Sequence, residues 1–162
     1  NGGRRVMVGG AAATQGGDEM VDTDAGDLQA VADRDDPPQA DRVLLDVPCS
    51  GLGVLAKRAD LRWQRELADL DDLTALQEEL LDAGARLVRP GGLLLYSTCT
   101  IEPEENEDRV EAFLARHDDF AVESAEGYVP DEVVSDAGYM TTLPHRHRTD
   151  GAFAVRLRRV TS

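Results

Sequence analysis

The chain has 162 residues, of which 41% are hydrophobic and 30% are charged. This length and composition predict one domain with a real hydrophobic core. No apolar run approaches the ~18 residues that a membrane span requires, and the N-terminal stretch "NGGRRVMVGGAAATQGG" lacks the apolar segment of a secretory signal. Composition therefore argues against a membrane protein. Because the chain begins at Asn1 rather than Met, we expect a fragment or a processed form.

The net charge of −15 argues against a nucleic-acid partner, because phosphate binding depends on Lys and Arg. The distribution of charge weakens that objection. Acidic residues concentrate at 18–41 and 66–82, whereas basic residues cluster in "AKRADLRWQRE" at 56–66 and in "HRHR" at 145–148. These two basic segments are either nucleic-acid contacts or ordinary solvated surface, and their spacing alone leaves both interpretations open.

The N-terminal quarter shows little sustained periodicity. Residues 9–40 are rich in Gly, Ala, Asp and Gln, which predicts mostly loop and partial disorder. Within this part of the chain, "VMVGG" predicts a short strand and "DLQAVAD" predicts one or two helical turns. We therefore divide the chain into a loop-rich region at 1–41 and a regular region at 42–162.

The regular region alternates strands and helices. "RVLLDV" is a continuous apolar run, as in a strand covered on both faces, and it ends at Pro48. A long amphipathic helix follows and is stopped at Pro90-Gly91-Gly92; its apolar residues are Leu73, Leu76, Leu80, Leu87 and Val88. "LLLYST" then predicts a second buried strand, and Pro103 opens a second helix whose apolar face carries Val110, Phe113 and Leu114.

The C-terminal part predicts an antiparallel or edge strand. After "FAV" and a loop at 126–151, the segment "FAVRLRRV" alternates apolar and polar residues, as in a strand with one face in water. The order of elements predicts an open α/β sheet of the doubly wound, Rossmann-like kind. Such sheets bind their ligands beyond the carboxyl ends of the strands.

Both cysteines lie just past the carboxyl end of a predicted strand. Because 49 residues separate Cys49 from Cys99, they form neither a CxxC redox pair nor a four-cysteine zinc site, and we expect no metal. Reduced thiols are the favoured state. Cys99 precedes a helix start whose free N–H groups favour a thiolate, and Gly51 and Gly53 allow close approach of the backbone to a ligand. The alternative is that each cysteine is a small buried hydrophobe.

Several motifs carry a family resemblance, in a fixed order along residues 42–159. These are "DVPCSGLG" followed by "LRW", then "LQEELLDAGARLVRPGGLLLYSTCTIEPEENE", and finally "PHRHRTDGAFAVRL". The sequence closely resembles RNA 5-methylcytosine methyltransferases of the Sun/NOL1/NOP2 group, especially the branch that modifies bacterial-type small-subunit ribosomal RNA and its plastid relatives. The resemblance implies that residues 42–162 are the C-terminal part of a methyltransferase domain and that 1–41 are a remnant of its cofactor half.

The resemblance also implies a chemistry. In the family the cysteine of the "TC" motif, here Cys99, adds to carbon 6 of the cytosine, which activates carbon 5 to take a methyl group from S-adenosylmethionine. The cysteine of the "PC" motif, here Cys49, assists release of the product. Asp46 matches the motif aspartate that helps to hold cofactor and target base, and Asp27 resembles the aspartate near the adenine.

One departure from the family concerns the cofactor. The glycine-rich cofactor loop and the acidic residue that binds the ribose are not found ahead of Asp27, and "VGGAAATQGG" lacks the strand-to-helix context of such a loop. We therefore expect residues 1–162 alone to be inactive and to bind S-adenosylmethionine negligibly. We also expect the "RVLLDV" strand to lie exposed at a sheet edge.

The expected partner is RNA, with ribosomal RNA favoured over transfer RNA. We expect the RNA contacts to come from the first cysteine motif and from the two basic segments, through Pro48, Ser50, Arg58, Arg62, Arg146 and Arg148. His145 and His147 are interpreted as loop or RNA-contact residues. The resemblance places the protein in a bacterial cytoplasm or in a plastid stroma.

Two other functions stay open. A thiol oxidoreductase could use Cys49 and Cys99 as a redox pair, provided that their sulfurs lie within bonding distance. A non-catalytic, RNA-binding remnant of a methyltransferase would keep the half-domain without its activity. Binding of S-adenosylmethionine would separate these possibilities from the methyltransferase.

Overall fold

The computed structural model describes residues 5–8, 20–23, 25–54 and 67–161. Its strands are β1 (Arg5–Val8), β2 (Met20–Thr23), β3 (Ala40–Asp46), β4 (Val88–Thr98), β5 (Phe120–Glu123), β6 (Met140–Thr142) and β7 (Ala152–Arg159). Its helices are α1 (Ala25–Ala32), α2 (Leu67–Leu87), α3 (Glu107–Arg116) and α4 (Pro144–His147). No helix among these described residues is long and apolar enough to cross a membrane.

The strands form one mixed sheet in the order β2-β1-β3-β4-β7-β5, and β6 also pairs with β7. Strands β2, β1, β3 and β4 are parallel, whereas β7 runs antiparallel to β4 and β5. This confirms the predicted Rossmann-like α/β fold. Since β3 and β4 are parallel and Asp46 lies opposite Ser97, the segments that follow these two strands leave the sheet at the same edge.

The central strands and helix α2 form the core as their apolar patterns predict. Leu45 and Leu94 on β3 and β4 are fully buried, and Leu81 on α2 is buried with them in one cluster. Burial of each such side chain stabilises the fold by about 1.5–3 kcal/mol. At Gly84 of α2 an added Cβ would lie 2.9 Å from Leu45 Cδ1, so glycine allows the helix to approach the sheet closely.

The later elements differ from prediction in three places, and the first is the predicted loop at 126–151, which contains β6 (Met140–Thr142) and α4 (Pro144–His147). Helix α2 ends at Leu87, ahead of Pro90 as predicted, but β4 begins at Val88 with an irregular register against β3 that takes in the Pro-Gly-Gly residues. The helix after Pro103 begins as a 3-10 turn, Pro103–Glu105, and continues as α3 after a break at Asn106. Val110 and Phe113 are buried as predicted.

Strand β7 has the predicted alternation. Phe153, Val155 and Leu157 are buried, and the residues between them are partly exposed. Of the two predicted arrangements, the antiparallel one is correct, because β4 and β5 flank β7 on both sides and it is not an edge strand.

The N-terminal region holds more regular structure than its loop-rich pattern predicts. Strand β1 contains the "VMV" residues, and α1 covers most of "DLQAVAD", with Leu28 fully buried. The expected exposed edge at β3 is wrong, since β1 pairs with β3 through Val6 opposite Val43. Residues 33–39 have no regular helix or strand, and most of "VGGAAATQGG" lies outside the described residues.

Candidate active site

Two free thiols face each other at the carboxyl edge of the sheet. Cys49 follows β3 and Cys99 follows β4, and their Sγ atoms lie 3.3 Å apart. The Cys99 backbone N–H also points to the Cys49 sulfur, at 3.4 Å. Cys99 is exposed and Cys49 is partly buried. The two predicted catalytic residues therefore come together although 49 residues separate them in sequence.

The two thiols differ in acidity because one donates to the other. The pKa of Cys99 is lowered to about 7, chiefly by the hydrogen bond from Cys49, while burial and the nearby Asp46 carboxylate act in the opposite direction. The pKa of Cys49 is strongly raised, first by its hydrogen bond to Cys99 and then by burial. Near neutral pH the arrangement is thus a Cys99 thiolate that accepts a hydrogen bond from a protonated Cys49.

Backbone contacts join the two cysteine loops to a third segment. Gly53 N–H donates to the Cys99 carbonyl at 3.1 Å, and Gly151 N–H donates to the Gly53 carbonyl at 2.8 Å. An added Cβ at Gly53 would lie 2.2 Å from the Gly151 oxygen and 2.7 Å from the Cys99 oxygen. Glycine is therefore required at Gly53 for the three backbones to meet, and the contact brings Gly151, three residues after the second basic segment, to the Cys99 loop.

The buried carboxylate of Glu105 anchors the loop that carries Cys49. Glu105 is fully buried and accepts hydrogen bonds from Ser50 N–H (2.8 Å), from Ser50 Oγ (2.5 Å) and from Gln77 Nε2 (3.0 Å). Gln77 also donates to the Pro48 carbonyl at 2.9 Å. The residues on both sides of Cys49 are thereby fixed. Ser50, predicted to bind substrate, is 4% exposed and serves as an anchor of the loop in this structure.

Asn106, the residue after Glu105, anchors the loop that carries Cys99. Asn106 accepts a hydrogen bond from Thr98 Oγ1 at 2.6 Å and donates through Nδ2 to the Thr100 carbonyl at 3.1 Å. These are the residues on either side of Cys99. Tyr96 Oη donates to the Glu105 carbonyl at 2.6 Å, which ties the same turn to β4.

The two predicted cofactor residues lie at the end of β3 and at the start of α1. Asp46 ends β3, is exposed, and accepts a hydrogen bond from Ser97 Oγ at 3.2 Å. Its carboxylate is close enough to Cys99 to oppose ionisation of that thiol. Asp27 is exposed in the first turn of α1. Both side chains are acidic, as suits a cationic ligand such as S-adenosylmethionine.

The basic segments are only partly described. Arg58 and Arg62 lie outside the described residues, whereas Arg146 and Arg148 are exposed on and just after α4. His147 uses both ring nitrogens inside the protein: Nδ1 accepts from Leu143 N–H and Nε2 bonds to the Glu132 carbonyl. With Arg146 and Thr149 it lines a cavity of about 440 Å³. Among the described residues, no cluster of His, Cys, Asp or Glu could hold a metal ion.

Sequence reasoning missed Glu105, Asn106 and Gln77. Glu105 lies in the acidic run "EPEENE", where one buried carboxylate cannot be told from its exposed neighbours. Gln77 did carry a signal, because it lies four residues after Leu73 and three before Leu80, within the apolar face of α2. A polar residue in an apolar stripe indicates a buried hydrogen-bonding partner.

The fold and the edge-located site define a class. The mixed α/β sheet is that of the Rossmann-like methyltransferases, and the structural relatives are S-adenosylmethionine-dependent methyltransferases. NSun6 from Pyrococcus horikoshii, solved with SFG, superimposes with a TM-score of 0.70 at 30% identity, over 89% of this chain and 35% of that one.

The family follows from sequence comparison. Residues 17–158 match the model of the 16S rRNA methyltransferase RsmB/F family, and the chain belongs to that family. It is 47% identical over 121 residues to the probable ribosomal RNA small subunit methyltransferase B of Synechocystis, covering 74% of this chain and 27% of the relative. It is 41% identical over 123 residues to ribosomal RNA small subunit methyltransferase B of Shewanella oneidensis, covering 76% and 28%. The chain thus spans about a quarter of the length of these curated relatives.

Proposed function

We propose that this chain forms the thiol-bearing part of an S-adenosylmethionine-dependent RNA (cytosine-5)-methyltransferase that acts on small-subunit ribosomal RNA. The observation that carries the proposal is the pair of thiols 3.3 Å apart, one exposed and acidic and the other partly buried. The exposed, acidic thiol suits a nucleophile that adds to a base, and the neighbouring thiol lies close enough to assist its release.

Cys99 is the nucleophile in this proposal. Its thiolate adds to carbon 6 of the cytosine, the carbon 5–carbon 6 double bond supplies electrons to carbon 5, and carbon 5 can then accept an electrophilic methyl group. S-adenosylmethionine supplies that methyl group when bound. With a pKa of about 7, a large share of Cys99 is ionised at neutral pH without a separate base.

Cys49 acts in the release step. After methylation the carbon 5 proton must leave, and its electron pair re-forms the double bond and expels the Cys99 sulfur as a thiolate. While Cys99 is bonded to the base it carries no negative charge, so its hydrogen bond and its charge no longer raise the pKa of Cys49, and only burial still does. At this stage Cys49 loses its proton to solvent, and its thiolate then takes up the carbon 5 proton as the bond between carbon 6 and the Cys99 sulfur breaks. The re-formed Cys49 thiol again donates to the Cys99 thiolate.

The remaining predicted residues have positions that suit the proposal. Asp46 and Asp27 would hold the cofactor and the target base through their carboxylates, and Arg146 and Arg148 would contact RNA phosphates. The two curated relatives, from Synechocystis and Shewanella oneidensis, are bacterial, which supports a bacterial cytoplasm as the compartment; the plastid stroma stays a prediction.

The direct test is nucleoside analysis of small-subunit ribosomal RNA after incubation with S-adenosylmethionine and an active preparation of the enzyme. We expect new 5-methylcytidine at a single position, detected by mass spectrometry, and none with Cys99→Ala. Methylation of another base, or equal methylation by Cys99→Ala, would contradict the proposal. Binding of RNA without methylation would favour the non-catalytic remnant.

The proximity of the sulfurs also keeps the thiol oxidoreductase as a second candidate. Two thiols 3.3 Å apart can be joined by a modest movement, whereas a disulfide needs about 2.05 Å. This alternative predicts turnover of a dithiol or disulfide substrate that requires both cysteines and no S-adenosylmethionine. An insulin-reduction assay would detect it.

A further inference from the structure

Two consecutive side chains lie beneath the site and hold one cysteine loop each. We propose that Glu105 and Asn106 are positioning residues that set the distance between the two sulfurs, Glu105 through the Cys49 loop and Asn106 through the Cys99 loop. Their effect on methylation depends on the proposed function, whereas their effect on the thiols does not.

The Glu105 arm is a directed chain of hydrogen bonds. A carboxylate only accepts hydrogen bonds, so the Ser50 hydroxyl donates its proton to Glu105 Oε2. Because that proton is then in use, Thr100 Oγ1, at 2.8 Å, must be the donor to Ser50 Oγ. Thr100 Oγ1 in turn accepts from Glu102 N–H at 3.3 Å. The chain thus links the residue after Cys49 to the residue after Cys99, and the Glu105 carboxylate fixes its direction.

The Asn106 arm needs both ends of an amide. Thr98 Oγ1 donates to Oδ1, and Nδ2 donates to the Thr100 carbonyl, so the side chain grips the backbone before and after Cys99. Asn106 is 3% exposed, and loss of either function would leave a buried polar group without its partner.

The burial pattern supports a specific role for this turn. Glu105 is fully buried although the adjacent Glu104 is exposed. Burial of a carboxylate is costly unless donors surround it, and three donors do so here. Because these donors come from the Cys49 loop and from α2, the carboxylate transmits the position of the helix to the loop.

The test uses the thiols themselves and needs no RNA. The rate of Cys99 alkylation by iodoacetamide is measured against pH, with peptide mass spectrometry to separate Cys99 from Cys49. We compare the wild-type protein with the near-isosteric Glu105→Gln, with Glu104→Gln as the matched surface control, and with Asp46→Asn as the electrostatic control.

A positioning role and a purely electrostatic role of Glu105 predict shifts of opposite sign in the pKa of Cys99 when Glu105 is replaced by Gln. If Glu105 acted through its charge alone, its neutralisation would lower the pKa of Cys99, as neutralisation of Asp46 should, because both carboxylates oppose ionisation of that thiol. If Glu105 holds the loop, Glu105→Gln displaces Cys49, weakens its hydrogen bond and raises the midpoint. We expect a rise of about one pH unit, which slows alkylation at pH 7 about fivefold.

Two outcomes would overturn the proposal. One is an unchanged or lowered midpoint in Glu105→Gln; the other is an equal rise in Glu104→Gln. Asn106→Asp, which loses the donor to the Thr100 carbonyl, provides a second variant and should also raise the midpoint. In a methylation assay Glu105→Gln and Asn106→Asp should each lower kcat about 10- to 100-fold with KM nearly unchanged. A shifted midpoint together with no methylation by a longer form of the enzyme that binds S-adenosylmethionine would leave the positioning role intact and refute the proposed function.

Discussion

The two cysteine loops place the same side chain in opposite chemical states. Cys99 is exposed, and its thiol is acidic. Asn106 holds its loop through hydrogen bonds to the residues on both sides of Cys99. The Cys49 loop is held from α2 and Glu105, its thiol is partly buried, and its proton is retained. In the proposed mechanism the roles of nucleophile and partner differ because of burial and of the hydrogen bond between the two sulfurs, since the residue type is identical.

The largest expected effect follows from removing the acidic thiol. In a longer, catalytically active form of the enzyme, Cys99→Ser should reduce methylation and the covalent RNA adduct below detection, because a hydroxyl without an activating base is a far weaker nucleophile. The measurement is methyl transfer from labelled S-adenosylmethionine, with a denaturing gel for the adduct. Turnover that persists in this variant would invert the assignment of the two loops.

Removing the protonated thiol should have a different result. Cys49→Ala should slow turnover by at least 100-fold while a protein–RNA adduct accumulates on a denaturing gel, because addition proceeds and release does not. The matched variant Cys49→Ser keeps a hydrogen-bond donor for Cys99 but has no thiol for release. It should therefore keep a Cys99 alkylation midpoint closer to pH 7 than Cys49→Ala, and it should still trap the adduct. Methylation without any trapped species would remove Cys49 from the release step.

The second basic segment, at 145–148, should affect RNA binding more than methyl transfer. The double variant Arg146→Glu and Arg148→Glu should weaken RNA binding at least tenfold and flatten the salt dependence by about 1.4 in the log–log slope, because two phosphate contacts are lost. The matched control is Arg86→Glu with Arg89→Glu, which removes two exposed cations that pair with Asp33 and Asp41. Equal slopes in both double variants would assign Arg146 and Arg148 to ordinary solvated surface.

The smallest effect is expected at a charge cluster away from the thiols. Arg158 and Arg156 lower the pKa of Glu123 to about 2, so its stabilising contribution is complete above the unfolded value of about 4.3 and is lost as pH falls through 2. Glu123→Gln should lower the free energy of unfolding at pH 7 by about 1 kcal/mol after allowance for solvent screening. Urea melts at pH 7 and pH 2 measure this, and the difference between variant and wild type should shrink at pH 2. The alkylation midpoint of Cys99 should not change.

Periodicity and motif spacing predicted the elements that carry most of the core. Helix α2, strand β7 and the buried central strands follow from apolar patterns of sufficient length. Strand β2 has four residues, which is too short for a pattern to be distinguished from loop, whereas the equally short β1 coincides with the strand predicted at "VMVGG". Their pairing beside β3 is decided by the sheet and not by local sequence.

The candidate site was likewise predictable from sequence only in part. Cys49, Cys99 and Asp46 were found because each directly follows or ends a recognisable strand, and parallel strands bring such residues to one edge. The anchoring side chains could not be found, because Glu105 is chemically identical to the exposed glutamate beside it. Ser50 was expected at the substrate and is instead buried against Glu105, which sequence alone has no means to distinguish.

The most direct test of the central claim is to identify which sulfur carries the RNA. Small-subunit ribosomal RNA transcribed with 5-fluorocytidine cannot lose a proton from carbon 5, so the methylated adduct stays on the enzyme. After nuclease and protease digestion, mass spectrometry should find the modified nucleotide on the peptide that contains Cys99, with addition dependent on S-adenosylmethionine. A nucleotide attached to Cys49, or full methylation of normal RNA with no adduct on either peptide, would contradict the account.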